Sequence, residues 1–147
     1  MGAWGYEVFD DDTTCDIMGE LRENDDIAGY CEKTFAHAIS TDYLDVEEGS
    51  AVAVCAAIMD AVLKGTTYSF FLDVESDLEG DKQFANWISS IKSDNIAAFE
   101  RMKDKAIQSL TVLISEKSEL YELWSEQEEI FPKWKEIYEQ IIKRLEN

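Results

Sequence analysis

Carboxylates are the residues in this chain best suited to chemistry, and five of them alternate along one stretch: Asp73, Glu75, Asp77, Glu79 and Asp81. An EF-hand calcium loop needs Gly at its sixth position and Glu at its twelfth. A loop that starts at Asp73 has Leu78 and Phe84 at those positions, and one that starts at Glu75 has Gly80 but then Asn86. Neither register fits, so we predict no dedicated metal site here, while weak Ca²⁺ binding stays open.

Sequence motifs that mark a catalytic nucleophile or a bound cofactor are missing. There is no GxSxG elbow and no glycine-rich phosphate loop, and the single histidine, His37, has no motif around it. Cys15, Cys31 and Cys55 are spaced by 16 and 24 residues, which matches no zinc site, and we expect them to be reduced thiols. The sequence therefore predicts no catalytic residues, no cofactor and no enzyme activity. A small enzyme that uses carboxylates or a metal ion remains the alternative.

The charge of the chain is strongly and unevenly negative. Its 147 residues carry 32 acids and 13 bases, a net charge of −19, and residues 1–50 hold 14 acids against two bases. Such a field repels nucleic acid and anionic membrane surfaces, and it speeds association with basic proteins. Acidity that serves solubility alone is the competing interpretation. A second compact cluster, Asp10, Asp11 and Asp12, fits either a partner contact or the start of a helix.

Helical periodicity organises almost the whole chain, so we predict one all-α domain over residues 1–147. No export signal is recognisable, which favours the cytoplasm. Residues 66–74 fit either a short strand or an extended loop. The predicted helices begin at Thr13 (with Asp16 as a capping box), at Asp25–Asp26, and at Asp45 (with Glu48 as a capping box, ending at Gly65); the others span Asp81 to about Lys92, Asp94 to about Ser115, Ser118 to about Glu126, and the residues from Pro132 onward.

Two helical stretches have expected places in the core. The helix after Asp45 is apolar on most sides and should lie at the centre of the domain. Aromatic residues near the C-terminus could form a binding platform, but their helical spacing favours core packing. They are Tyr121, Trp124, Phe131, Trp134 and Tyr138.

The opening MGAWGYEVFDDD resembles the start of an uncharacterised bacterial domain family whose members begin MGxWGxGxFDND. The matching residues are Gly2, Trp4, Gly5, Phe9, Asp10 and Asp12, whereas Glu7 and Val8 replace the small residues usual before the Phe, and Asp11 replaces the Asn. The segments EEGSAVAVCAAIMDAVLKG and SELYELWSEQEEIFPKWKEIYEQIIKRL resemble the family's central and closing helices. We interpret Trp4, Gly5 and Phe9 as structural residues that dock the N-terminal turn on the helices.

The resemblance implies a small α-helical intracellular protein without a known activity. Some similar proteins occur beside polymorphic or contact-dependent toxins and look like their immunity proteins. The leading hypothesis is therefore an immunity protein that neutralises a basic toxin, with a nuclease as the expected toxin, as a monomer or in a 1:1 complex. The expected contacts are the acids at 73–81 and at 10–12. A generic protein-binding adaptor is a further alternative.

Overall fold

The computed structural model of the chain describes residues 5–68 and 84–147, and the regular elements in these ranges are α-helices. In chain order they are α1 (Asp12–Arg22), α2 (Ile27–Ser40), α3 (Val46–Lys64), α4 (residues 84–89), α5 (Ser93–Arg101), α6 (Lys103–Leu113), α7 (Glu119–Ser125) and α8 (Phe131–Glu146). The all-α class predicted from the sequence is confirmed. Residues 66–68 have no regular structure, and the rest of the predicted β element at 66–74 lies outside the described residues.

Helix α3 is the centre of the bundle, as its sequence predicts. Every position from Val52 to Met59 is at most 1% exposed, so the helix is buried around its whole circumference. Its many alanines allow neighbouring helices to approach closely, and α1, α2, α6 and α8 all pack on it. These neighbours are amphipathic: α8, for example, buries Trp134, Tyr138, Ile141 and Leu145 at helical spacing.

Both ends of α3 follow the predicted signals. The Asp45 side chain accepts a hydrogen bond from the Glu48 N–H at 2.8 Å, and the Glu48 carboxylate accepts one from the Asp45 N–H at 3.0 Å. This capping box satisfies two backbone donors that would otherwise lack partners. Gly65 ends the helix with φ of 70°, a left-handed conformation that glycine adopts without the strain a side chain would add.

Two other helix boundaries differ from the prediction. Helix α1 is capped by Asp11, whose side chain accepts from the Thr14 N–H at 2.8 Å, and the predicted Thr13–Asp16 capping box is wrong because both residues lie inside the helix. The start predicted at Asp81 lies outside the described residues, and α4 ends at residue 89 rather than near Lys92.

The predicted helix from Asp94 to about Ser115 is interrupted at Met102. The Met102 N–H bonds to the carbonyls of both Ala98 and Phe99, which tightens the turn between α5 and α6. Met102 is 4% exposed. Because no glycine or proline marks this position, we attribute the break to core packing, which periodicity in the sequence does not reveal.

The C-terminal aromatic residues pack into the core, which confirms the sequence-based interpretation. Trp124, Trp134 and Tyr138 are buried, and the Trp124 and Trp134 rings stack with centroids 6.2 Å apart. Tyr121 and Phe131 are half-buried against the same cluster, with ring centroids 5.1 Å apart. These rings fasten α7 to α8 rather than forming a free binding platform. In the described ranges, no helix is long and apolar enough to cross a membrane.

Candidate functional site: an acidic cleft between α1 and α3

An open cleft of about 620 Å³ lies between α1, the first turns of α3 and Tyr30 of α2. Ile17, Val46 and Ala51 supply its apolar wall. Five carboxylates also line it, and none of the described lining residues is basic. These acids are Asp16 and Glu20 from α1, Asp45 from the cap of α3, and Glu47 and Glu48 from its first turn. The cleft is thus concave, partly apolar and strongly negative.

Contacts from distant residues hold the α3 side of the cleft in place. The Leu44 N–H donates to the Lys117 carbonyl at 2.8 Å, and the Glu119 N–H donates to the Leu44 carbonyl at 2.8 Å. The Glu119 carboxylate also accepts from the Val46 N–H at 3.1 Å. The segment before α3 is therefore tied to the segment before α7, so the acids of the first turn stand on a rigid support.

Two of the five carboxylates are committed to structure. Asp45 and Glu48 form the capping box of α3, and Glu48 also pairs with the ring of His37. The Asp45 N–H and the His37 ring lower the pKa of Glu48 below its ordinary value. His37 itself lies on the surface, as its sequence context predicts. These two acids have internal partners and are poor candidates for binding a ligand.

The other three carboxylates, Asp16, Glu20 and Glu47, form no hydrogen bond or ion pair with another described residue. All three side chains are exposed at the cleft. Asp16 and Glu20 are four residues apart and therefore share one face of α1. Carboxylates gathered in one cleft favour the binding of a cation, which offsets their charge.

Tyr30 is the aromatic residue of the cleft, and it is half-buried beside these acids. Burial, together with the nearby Cys55 thiol and Glu20 carboxylate, raises the pKa of Tyr30 to about 12. Its hydroxyl has no hydrogen-bond partner within residues 5–68 and 84–147. The part of the Tyr30 side chain that lines the cleft can therefore contact a ligand.

The predicted contact Asp10–Asp12 lies at the start of α1, where two of its three acids serve the backbone. Asp10 accepts from the Glu7 N–H at 3.2 Å and closes a turn, and Asp11 caps the helix. Burial raises the pKa of Asp11 above its ordinary value. Asp12 begins the helix and is exposed. With Asp16 and Glu20 it repeats every four residues, so the predicted cluster continues along α1 toward the cleft.

Of the motif residues, Gly5 lies in the turn before α1 and Phe9 lies in the core, whereas Trp4 lies outside the described residues. A Cβ atom on Gly5 would meet the Asp10 carboxylate, so a larger residue there would displace the Asp10 side chain from its position in this turn. Phe9 is 1% exposed, and its ring centroid lies 6.1 Å from that of Tyr68 and 5.4 Å from that of Phe84. The other predicted contact also lies outside the described residues: Asp73, Glu75, Asp77, Glu79 and Asp81.

A family model described as "Domain of unknown function (DUF4259)" matches residues 2–137, which is most of the chain. The chain belongs to the DUF4259 family. No curated protein and no solved structure matches the chain. The matched residues of this DUF4259 protein include all those that line the acidic cleft.

A second cluster of polar side chains in the DUF4259 protein lies in the interior. Asp60 is fully buried in α3, and Arg144 of α8 donates to it from Nε at 3.0 Å and from Nη2 at 2.8 Å. The Tyr68 hydroxyl donates to the same carboxylate at 2.6 Å. Burial and the Asp60 charge raise the pKa of Tyr68. This pairing joins residues 84 positions apart in the chain and fastens α8 to α3.

The three cysteines of the DUF4259 protein are free thiols. Cys31 and Cys55 are buried, and a hydrogen bond between them together with burial raises the pKa of Cys31 well above its ordinary value. Cys15 is half-buried. Over the two described ranges, no group of three or more His, Cys, Asp and Glu side chains is arranged to hold a metal ion.

Sequence reasoning missed the cleft, although signals for it were present. The repeat of Asp12, Asp16 and Glu20 at intervals of four predicts an acidic face on α1. Asp60 is the single charged residue in a long apolar stretch of α3, and a lone acid in such a place needs an internal partner. Neither signal identifies the partner element, since Glu47 and Arg144 come from other parts of the chain.

Proposed function

We propose that this protein is an immunity protein that binds and neutralises a cognate basic toxin, with a nuclease as the expected toxin, in the cytoplasm. The observation that carries the proposal is the cleft between α1 and α3, where the carboxylates of Asp16, Glu20 and Glu47 form no hydrogen bond or ion pair with another residue of the described ranges. Carboxylates that are left unpaired in a concave surface favour a basic ligand, and the net charge of −19 favours fast association with one.

An inhibitor of this kind would cover the phosphate-binding face of a nuclease and present carboxylates where the nucleic acid backbone would lie. Its affinity would come from a few desolvated contacts in the cleft, and the wider acidic surface would steer the encounter. The clusters predicted from the sequence, at residues 10–12 and 73–81, are proposed as parts of that wider surface. We propose a 1:1 complex with an otherwise monomeric protein.

The test is co-expression with the product of the adjacent gene. We expect that product to be toxic alone, to be harmless together with this protein, and to form a stable 1:1 complex with it at moderate salt. A non-toxic neighbour that still binds would favour the adaptor alternative. A neighbour that neither binds nor kills would refute the immunity function.

The contribution of the cleft is tested by charge-neutralising variants. The triple variant Asp16→Gln, Glu20→Gln, Glu47→Gln should no longer protect against the toxin and should associate with it more slowly. A matched control, Glu126→Gln, Glu128→Gln, Glu129→Gln, removes the same charge from the exposed segment between α7 and α8. The control should retain protection. Equal loss of protection in both variants would mean that net charge, rather than the cleft, determines binding.

A further inference from the structure

We propose that the acidic cleft receives an arginine side chain of the partner, which stacks on the ring of Tyr30 while its guanidinium bonds to the free carboxylates. This inference rests on the proposed function only in taking the partner to be a basic protein. It goes further by naming the side chain that the cleft recognises and the segment that carries it.

The chemistry of the cleft favours arginine over lysine. The free acids stand on two helices, Asp16 and Glu20 on α1 and Glu47 on α3, so a ligand must donate in more than one direction. A guanidinium has five N–H donors in a rigid planar fork, whereas an ammonium group is a compact and strongly hydrated point charge. The planar cation therefore offers donors in several fixed directions, which suits carboxylates that stand on different helices.

Tyr30 is a second, independent reason to expect arginine rather than lysine in the cleft. Its half-buried ring lies beside apolar residues, including Ile17 and Val46, where it can pack against the stem and the flat face of an arginine side chain. Its hydroxyl has no partner elsewhere in the part of the chain that the structure describes, so it can also bond to the partner. A purely electrostatic site would need neither the ring nor the apolar wall.

The size of the cleft defines what accompanies the arginine. Its volume of about 620 Å³ exceeds what one side chain fills and is typical of sites for drug-sized ligands. We infer that a short protruding segment of the partner, such as a loop with arginine at its tip, enters between α1 and α3. A flat basic surface would leave the cleft empty.

The test is a titration of the intact protein with three capped peptides, Gly-Ser-Gly-X-Gly-Ser-Gly, in which X is arginine, lysine or citrulline. Binding is followed by NMR through the Tyr30 ring protons and the backbone amides. We expect the arginine peptide to bind about 2–5-fold more tightly than the lysine peptide, the effect of an exposed cation–π contact. Citrulline, which is neutral, should not saturate the site.

Variants separate the ring from the charge. Tyr30→Leu should abolish the preference for arginine, whereas Tyr30→Phe should keep it, and urea unfolding confirms that both variants are folded. Glu47→Gln should weaken the binding of the arginine peptide and of the lysine peptide to the same extent. Equal affinity for these two peptides, an unchanged preference in Tyr30→Leu, or shifts that map outside α1, Tyr30 and the start of α3 would each overturn the proposal.

The outcomes also separate this inference from the proposed function. If the neighbouring protein is neutralised but Tyr30→Leu protects as well as the wild type, the arginine site is wrong and the immunity function stands. If the arginine peptide binds as expected but the neighbouring protein is harmless, the immunity function fails and the arginine site stands.

Discussion

Replacing Arg144 by methionine would leave the fully buried Asp60 carboxylate with the Tyr68 hydroxyl as its partner among the described residues. Methionine keeps much of the aliphatic stem, so packing between α8 and α3 changes little. What is lost is the guanidinium that donates to both carboxylate oxygens. The variant therefore isolates the cost of an uncompensated buried charge.

The expected cost follows from the burial of each partner. Breaking a buried ion pair typically costs about 3–5 kcal/mol when a charge is left inside. The Arg144 side chain is 37% exposed, which screens the pair, so we expect the lower value of about 3 kcal/mol for Arg144→Met. Asp60→Asn instead leaves a cation that can reach water, so we expect a smaller loss of about 1–2 kcal/mol.

Urea unfolding, followed by far-UV circular dichroism and tryptophan fluorescence at neutral pH, measures these losses. For a protein of this size a loss of about 3 kcal/mol lowers the melting temperature by roughly 6–12 °C. Lys143→Met is the matched control, because it removes a positive charge from the same turn, and Lys143 forms no ion pair with another described residue. It should cost less than about 1 kcal/mol.

The asymmetry between the two partners is the decisive result. The double variant Asp60→Asn, Arg144→Met should be more stable than the sum of the single losses predicts, because neither charge is then left alone. A loss below about 1 kcal/mol for Arg144→Met, or a larger loss for Asp60→Asn, would refute the argument that an uncompensated buried charge determines the cost.

Three further predictions concern the cleft and the Cys15 thiol of α1. Asp45→Ala removes the cap of α3 and should lower the free energy of unfolding by about 0.5–2 kcal/mol in urea titrations. Glu20→Gln should leave stability unchanged or raise it by about 0.3–1 kcal/mol at low salt, because it removes an unpaired negative charge from the C-terminal turn of α1. Burial and the neighbouring Asp11 raise the pKa of Cys15 from 9.0 to about 11, so its thiolate fraction at pH 8 falls about 100-fold. Because a thiolate of higher pKa is also more nucleophilic, iodoacetamide labelling of Cys15, resolved by mass spectrometry, should be slower by at least about 10-fold than in the urea-unfolded chain.

Each of these three predictions has its own contrary result. Destabilisation by Glu20→Gln at low salt would indicate an internal role for that acid. An unchanged stability for Asp45→Ala would mean that the capping box contributes little beside the ties to the α7 segment. Cys15 labelling that is as fast in the folded protein as in urea would contradict the burial of this thiol.

Local signals in the sequence predicted the helices well. The capping box of α3, its glycine end at Gly65, the Asp26 cap of α2 and the Ser118 cap of α7 were all recognisable from adjacent residues. These features depend on hydrogen bonds that span three or four residues, so the sequence contains both partners side by side. The buried centre of the domain was also predictable, because an all-round apolar helix has no stable place on a surface.

Only the tertiary structure decided which acids line a common cleft and which are paired. Asp60 and Arg144 are 84 residues apart, and their pairing depends on how α8 packs against α3. The cleft likewise needs α1 and the start of α3 side by side, and the capping box then distinguishes its committed acids from its free ones. No periodic pattern in the sequence identifies the distant residue with which a carboxylate pairs. The roles of the carboxylates in this chain are set by helix packing, which depends on the shapes of many buried side chains together.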